Sequence, residues 1–278
     1  MATLIIHRNS LTHAEQSLLE DKFGSIPIAV ARHYRVICEE TPNIELLNQV
    51  RAAHLWDINV LPEDFEGADI RLIISDMDST LINIECIDEI GAHLGIKDKV
   101  SQVTEAAMRG ELNFEQSLTQ RVSLLAGTPL HALETVYNER LQLNEGAEIL
   151  IAGLKIRDIK FALVSGGFTF FTDRLKERLE LDFTRANVLD FDPNAHTTGH
   201  IVGHIVGAEA KREFLLELCD LLGIGTNQAI AVGDGANDLR MMQDAGLSVA
   251  YHAKPAVQAA ADTVLNHRGL DAMLDFLV

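Results

Sequence analysis

Short apolar runs punctuate the chain, and the spacing of hydrophobic positions between them changes along its length. Thr3-Leu-Ile-Ile-His7, Arg32 to Glu39 and Asp57 to Leu61 are compact runs that predict three strands. Leu11 to Phe23 and Ile44 to Trp56 repeat apolar positions at helical spacing, which predicts a helix between each successive pair. Pro62-Glu-Asp-Phe-Glu-Gly67 is acidic and turn-forming, so residues 1–68 read as a small N-terminal α/β domain ending in a linker. Arg71-Leu-Ile-Ile-Ser75 then opens a larger unit. From about Ile87 to Leu154 the pattern is helical, with Thr128-Pro129 predicting a helix start, Thr as N-cap and Pro in the first helical position. Strand-like runs resume at Lys160–Val164 and alternate with helices: a helix to about Leu181, a strand over 186–191, a helix over 208–222, a strand over 229–232, a helix over 237–245 and a strand over 247–250. Asp192 to Gly199 reads as a turn leading a small hairpin. This alternation predicts a parallel sheet with helices on both faces. Residues 87–154 become a helical insert after its first strand, and 69–86 with 155–278 form the core.

Two of the predicted strands end in carboxylates. Asp76-Met-Asp-Ser-Thr80 follows the strand at 71–75, and Gly233-Asp-Gly-Ala-Asn-Asp238 follows the one at 229–232. Charged side chains are seldom buried without a partner or a metal. The carboxyl edge of such a sheet is where α/β folds bind ligands. Two acidic clusters there fit a shared hard cation, and Mg²⁺ prefers carboxylate oxygens with substrate phosphate completing its shell. No His/Cys cluster has zinc spacing. Val164-Ser-Gly-Gly-Phe168 follows another strand and opens a helix, so Ser165 and the glycine N–H groups can face an anion. Lys211 starts a helix, against the helix dipole, and a nearby anion would give it a reason to be there.

A formal charge of −18 over 278 residues argues against nucleic acid or an anionic membrane as partner, and requires any phosphate site to bring its own cations. The start lacks the pattern of a signal peptide, and no apolar run is long enough to span a bilayer. Cys38, Cys86 and Cys219 are odd in number and widely spaced, which suits small buried residues in a reducing compartment. The expectation is therefore a cytoplasmic protein, either monomeric or a homodimer.

Asp76-x-Asp78-x-Thr80, Ser165, Lys211 and Gly233-Asp-Gly-x-Asn-Asp238 stand in the order found in the haloacid dehalogenase superfamily. Asp76 to Glu85 further resembles the opening of its phosphoserine phosphatases, as do Met108, Phe114 and Arg121-Val-Ser-Leu-Leu125 in the insert. The resemblance covers about residues 70–278. It implies a Rossmann-like core with a helical cap and Mg²⁺-dependent hydrolysis of O-phosphoserine, the last step of serine synthesis. Asp76 would be the nucleophile and Asp78 the general acid and then base. The implied metal ligands are Asp76, the Asp78 carbonyl, Asp234 and Asp238, the last through water. Ser165, Gly166, Lys211 and Asn237 would hold the phosphoryl group, Glu85 the ammonium and Arg121 the carboxylate, with Met108 and Phe114 over the substrate stem. The alternatives are a phosphotransferase or a phosphatase of a related small monoester. For residues 1–68 they are an amino-acid-sensing or a dimerisation module.

Overall fold

The computed structural model describes residues 2–278. In its first part β1 (Ala2–Ile6), α1 (His13–Phe23), β2 (Ile28–Val30), β3 (His33–Cys38), α2 (Ile44–His54) and β4 (Ile58–Val60) follow one another. The four strands form an antiparallel sheet in the order β2-β3-β1-β4. Leu19, Phe23, Leu47 and Val50 of the helices pack on Leu4, Ile6, Val36 and Ile58 on one face of this sheet. Thr12 and Glu15 form a reciprocal cap at the start of α1, and Gly24 ends it in the left-handed region at φ 81°. The pattern-based reading lacks β2, which is three residues long and exposed at the edge, too short to display alternation. With β2 present, the unit has the complete split β-α-β arrangement.

The second sheet is built from β5 (Leu72–Ser75), β6 (Lys160–Phe168), β7 (Phe183–Phe191), β8 (Thr197–Val202), β9 (Ala229–Gly233), β10 (Leu247–Tyr251) and β11 (Thr263–Leu265). Its order is β11-β10-β9-β5-β6-β7-β8, parallel except for the β7–β8 hairpin. Every residue of β5, β9 and β10 is buried, because helices cover both faces. Leu72 and Ile74 point toward Phe214 and Leu218 of α9 (Ala208–Leu222) and Met241 of α10 (Leu239–Asp244). Ile73 points the other way, into the cluster holding Leu150 and Leu154 of α7 (Ala147–Ile156), Phe171 and Leu175 of α8 (Thr169–Leu179), and Phe276. A short α11 (Pro255–Ala260) links β10 to β11. No helix among the described residues is long and apolar enough to cross a membrane.

Between β5 and α7 lie α3 (Cys86–His93), α4 (Lys97–Met108), α5 (Phe114–Ser123) and α6 (Leu130–Glu139). The chain leaves and re-enters the core side by side, with Ile82 bridged to Leu143 and Asn144 Nδ2 donating to the carbonyls of Thr80 (2.8 Å) and Ile82 (3.1 Å). The expected insert to residue 154 is therefore too long. Helix α7 packs under the sheet with the closing 3₁₀ helix Leu270–Leu277, since its apolar stripe is completed by core residues. The expected cap at Thr128 also differs. Pro129 occupies the N-cap position of α6 and bridges His196, while Thr128 Oγ1 donates to Leu125 O at 2.6 Å. This seats the helical insert on the β7–β8 hairpin.

The N-terminal unit is fastened to the core by buried polar groups. Asp57 accepts the backbone N–H groups of Asn266 (2.8 Å), His267 (2.9 Å) and Arg268 (2.8 Å). Asn59 Nδ2 donates to His7 Nε2 at 3.1 Å, so the proton of that ring sits on Nδ1, which donates to Asp275 Oδ2 at 2.9 Å. His33 Nδ1 lies 3.4 Å from the other oxygen of Asp275, and Arg32 pairs with Asp271. Burial alone would raise the Asp275 pKa. The close approach of His33 and the hydrogen bond from His7 overrule it and hold the carboxyl at about 2.

Candidate active site

Asp76 stands immediately past β5, and its N–H donates to Val232 O of β9 at 3.0 Å. That bond extends the pairing of the two strands by one residue and brings the two acidic clusters together. The chain then makes one wide turn, Met77–Leu81, with Ser79 at φ 58°, closed by Ile82 N–H on Met77 O at 3.0 Å. Asp76 is 4 % exposed, and Lys211 and Asp238 are 0 % exposed. Lys211 Nζ donates to Asp76 Oδ1 at 2.5 Å and to Asp238 Oδ1 at 2.7 Å. Lys211 enters from the first turn of α9, and an anionic partner is what that position required. Its own burial would lower its pKa, but Asp238 and Asp76 outweigh burial and keep it charged. The second oxygen of Asp238 accepts from Gly235 N–H at 3.0 Å.

Carboxylate oxygens of Asp76, Asp234 and Asp238 come within 4.8 Å of one another. Burial, then the charge of Asp238, raises Asp76 well above the usual carboxylate range. Burial, Asp238 and Glu85 push Asp234 up to about 6. One lysine does not neutralise this group, and an all-oxygen donor set crowded in this way fits a hard divalent cation. Asp78 is pushed up to about 7 by burial and then by Glu85, while its Oδ1 accepts Cys86 N–H at 3.3 Å.

Asp76, Asp78 and Asp234 floor a cavity of about 440 Å³, and Lys211 and Asp238 are buried beneath them. Ser165, Gly166, Asp234 and Asn237 line the core side, and Glu85, Phe114 and Arg121 the helical side. Ser165 Oγ accepts Gly167 N–H at 2.8 Å. The Phe114 ring lies against Gly166, where an added Cβ would stand 2.8 Å from Cζ. Ser79 Oγ donates to Glu85 Oε1 at 2.8 Å. Met108 is the expected residue that the structure sets apart from the site, whereas Lys211 and Asp238 lie buried just below the cavity. Met108 is 76 % exposed and outside the cavity, because Thr104, one turn earlier on α4, is the residue of that helix facing inward. Sequence reasoning also missed Asp88 and Lys254, which line the cavity, and Asn187. Asn187 Nδ2 donates to Gly166 O and its Oδ1 accepts Val206 N–H, both at 2.8 Å, pinning the Ser165–Gly166 segment. Nothing local in sequence marks Asn187, since its partners come from other elements.

Gly233 leaves room for Asp238. A Cβ there would lie 2.5 Å from the Asp238 carboxyl carbon. Gly233→Ala is expected to push that carboxylate off Lys211 and lower kcat/KM about a hundredfold, the scale of an ångström-sized misplacement. Steady-state kinetics beside a thermal melt check this, and unchanged kinetics would show that the close approach is tolerated.

The haloacid dehalogenase-like hydrolase family model matches residues 70–246. The chain belongs to that family. Its curated relatives are phosphatases: the phosphoserine phosphatase of Polaromonas sp. is 51 % identical over 225 residues, covering 79 % of this chain and 95 % of the relative. Among solved structures, a haloacid dehalogenase family hydrolase from Salmonella enterica serovar Typhi superposes with a TM-score of 0.88 at 31 % identity, covering 100 % of this chain and 98 % of that one. A probable phosphoserine phosphatase from Vibrio cholerae gives 0.86 at 36 % identity, covering 99 % and 86 %. Both likenesses extend over the N-terminal unit as well as the core.

Proposed function

We propose that this enzyme hydrolyses O-phospho-L-serine to L-serine and phosphate as the last, cytoplasmic step of serine synthesis. The observation that carries the reading is the fully buried Lys211 between Asp76 and Asp238, beneath a cavity whose opposite wall presents Glu85 and Arg121. Phosphate meets the Lys211 floor. The ammonium and carboxylate of serine meet Glu85 and the guanidinium fork of Arg121. Phe114 covers the stem between them.

Asp76 attacks phosphorus and forms an aspartyl-phosphate. Asp78, whose pKa near 7 lets it begin protonated, gives its proton to the departing serine oxygen. It then takes a proton from the water that hydrolyses the acyl phosphate. Ser165, the Gly166 N–H, Asn237 and Lys211 spread the charge of the transferring group. Asp76, Asp234, Asp238 and the Asp78 carbonyl would hold Mg²⁺, which when bound supplies positive charge to the phosphoryl oxygens and favours ionised Asp76. A substrate panel tests the reading. O-phosphoserine should exceed O-phosphothreonine by about tenfold or more in kcat/KM, and sugar phosphates by more. EDTA should abolish turnover and Mg²⁺ restore it. Equal rates across the panel would remove the substrate assignment, and full activity in EDTA would remove the metal.

A further inference from the structure

The Nε of Arg121 is buried without a hydrogen-bond partner. The same is true of one carboxylate oxygen, Asp88 Oδ1. Both side chains line the active cavity, Asp88 from the first turn of α3 and Arg121 from the last turn of α5. An unpaired buried donor and an unpaired buried acceptor facing one space are each costly, and pairing them removes both penalties. Their fields are already coupled. Burial raises Asp88, and Arg121 is the first charge that draws it back, ahead of Lys97. Burial lowers Arg121, and Asp88 is the first charge that restores it, ahead of Glu85 and Asp78.

We propose that Asp88 is the positioning residue of Arg121, its Oδ1 receiving the Nε–H when an anion seats on the guanidinium. The Nε edge is then fixed, and the two outer nitrogens present a planar fork to a carboxylate. Without Asp88 the same guanidinium can turn toward Glu85 or Asp78, the other carboxylates within its field. The proposal rests on the reading that Arg121 receives the substrate's carboxylate. It adds a residue that meets no substrate atom but sets how selectively the cavity takes an α-carboxylate.

O-phosphoethanolamine carries the phosphate and ammonium of O-phosphoserine without its carboxylate, so it isolates the effect. Asp88→Asn should raise KM for O-phosphoserine about tenfold at unchanged kcat, the scale of one charge-assisted hydrogen bond. It should leave kcat/KM for O-phosphoethanolamine unchanged, and add no further loss to Arg121→Ala. Asp88→Ser gives the same comparison if the Asn variant is unstable. Equal losses on both substrates would overturn the proposal in favour of Asp88 merely stabilising the start of α3. Unchanged kinetics, or a full loss on the Arg121→Ala background, would also overturn it. A wild-type enzyme that does not distinguish the two substrates removes the substrate reading first, and this proposal with it.

Discussion

Replacing Asp76 by Asn is expected to abolish turnover, lowering kcat for O-phosphoserine by about five to six orders of magnitude, as for loss of a covalent nucleophile elsewhere. An amide cannot attack phosphorus to give an acyl phosphate. Its oxygen can still accept from Lys211 Nζ, so the floor of the site keeps its shape. The variant should therefore fold, and without added cation it should melt no lower than the wild type. The reason is that Asp76 is raised by burial and by Asp238, so its ionised form is a strained charge there and the neutral amide relieves it. Acid-quenched single turnovers with labelled substrate provide the check. A phosphoenzyme burst retained by Asp76→Asn would refute the nucleophile assignment. A large loss of melting temperature would show instead that the carboxylate is needed to build the site.

Asp275→Ala should destabilise the protein by about 1–3 kcal/mol, the range for leaving a buried donor without its acceptor. Asp275 is 1 % exposed and receives His7 from just past β1, with His33 from β3 at its other oxygen. Removing it orphans the Nδ1–H of His7, whose side chain is 0 % exposed. Asp275→Asn keeps one acceptor and should cost less. The same carboxylate gives a pH dependence of defined sign. Its folded pKa, about 2, lies below the unfolded value of about 3.9, so its stabilisation is complete above pH 4 or so. That part is lost as pH falls from there toward 2, and should be missing from the acid limb of the Asn variant. Denaturant titrations of the three proteins at neutral and acid pH measure it. A cost under about 0.5 kcal/mol for the Ala variant would mean that the junction adapts without this residue.

The parts of the fold legible in sequence are those whose burial is two-sided. Strands β5 and β9 read as unbroken apolar runs because helices cover both faces, and the carboxylates just past them stand out against that background. Lys211 was legible because it stands in the first turn of a helix, where the backbone itself makes a demand on charge, whereas Ser165, expected where a helix opens, lies inside β6 ahead of α8. Met108, expected on the family resemblance alone, stands 76 % exposed outside the cavity, because resemblance transfers a residue but not the helix turn that carries it inward. Helix α7 was assigned to the insert because its amphipathic pattern is the same whichever layer completes its core. Asp88 and Asn187 were not legible, since a single polar residue acquires its role only from elements brought beside it. Strand β2 was lost to brevity alone.

His7 and Asp275 are separated by 268 positions in the chain. At ribosomal rates of about 5–20 residues per second, roughly a quarter of a minute to a minute passes between their syntheses. During that interval the first sheet can assemble, because its strands and helices are all local, yet the face that carries His7 and His33 has nothing to rest on. Docking of the first unit thus waits for the segment that carries Asp275, and a nascent chain stalled before Asp275 should expose that face to chaperones.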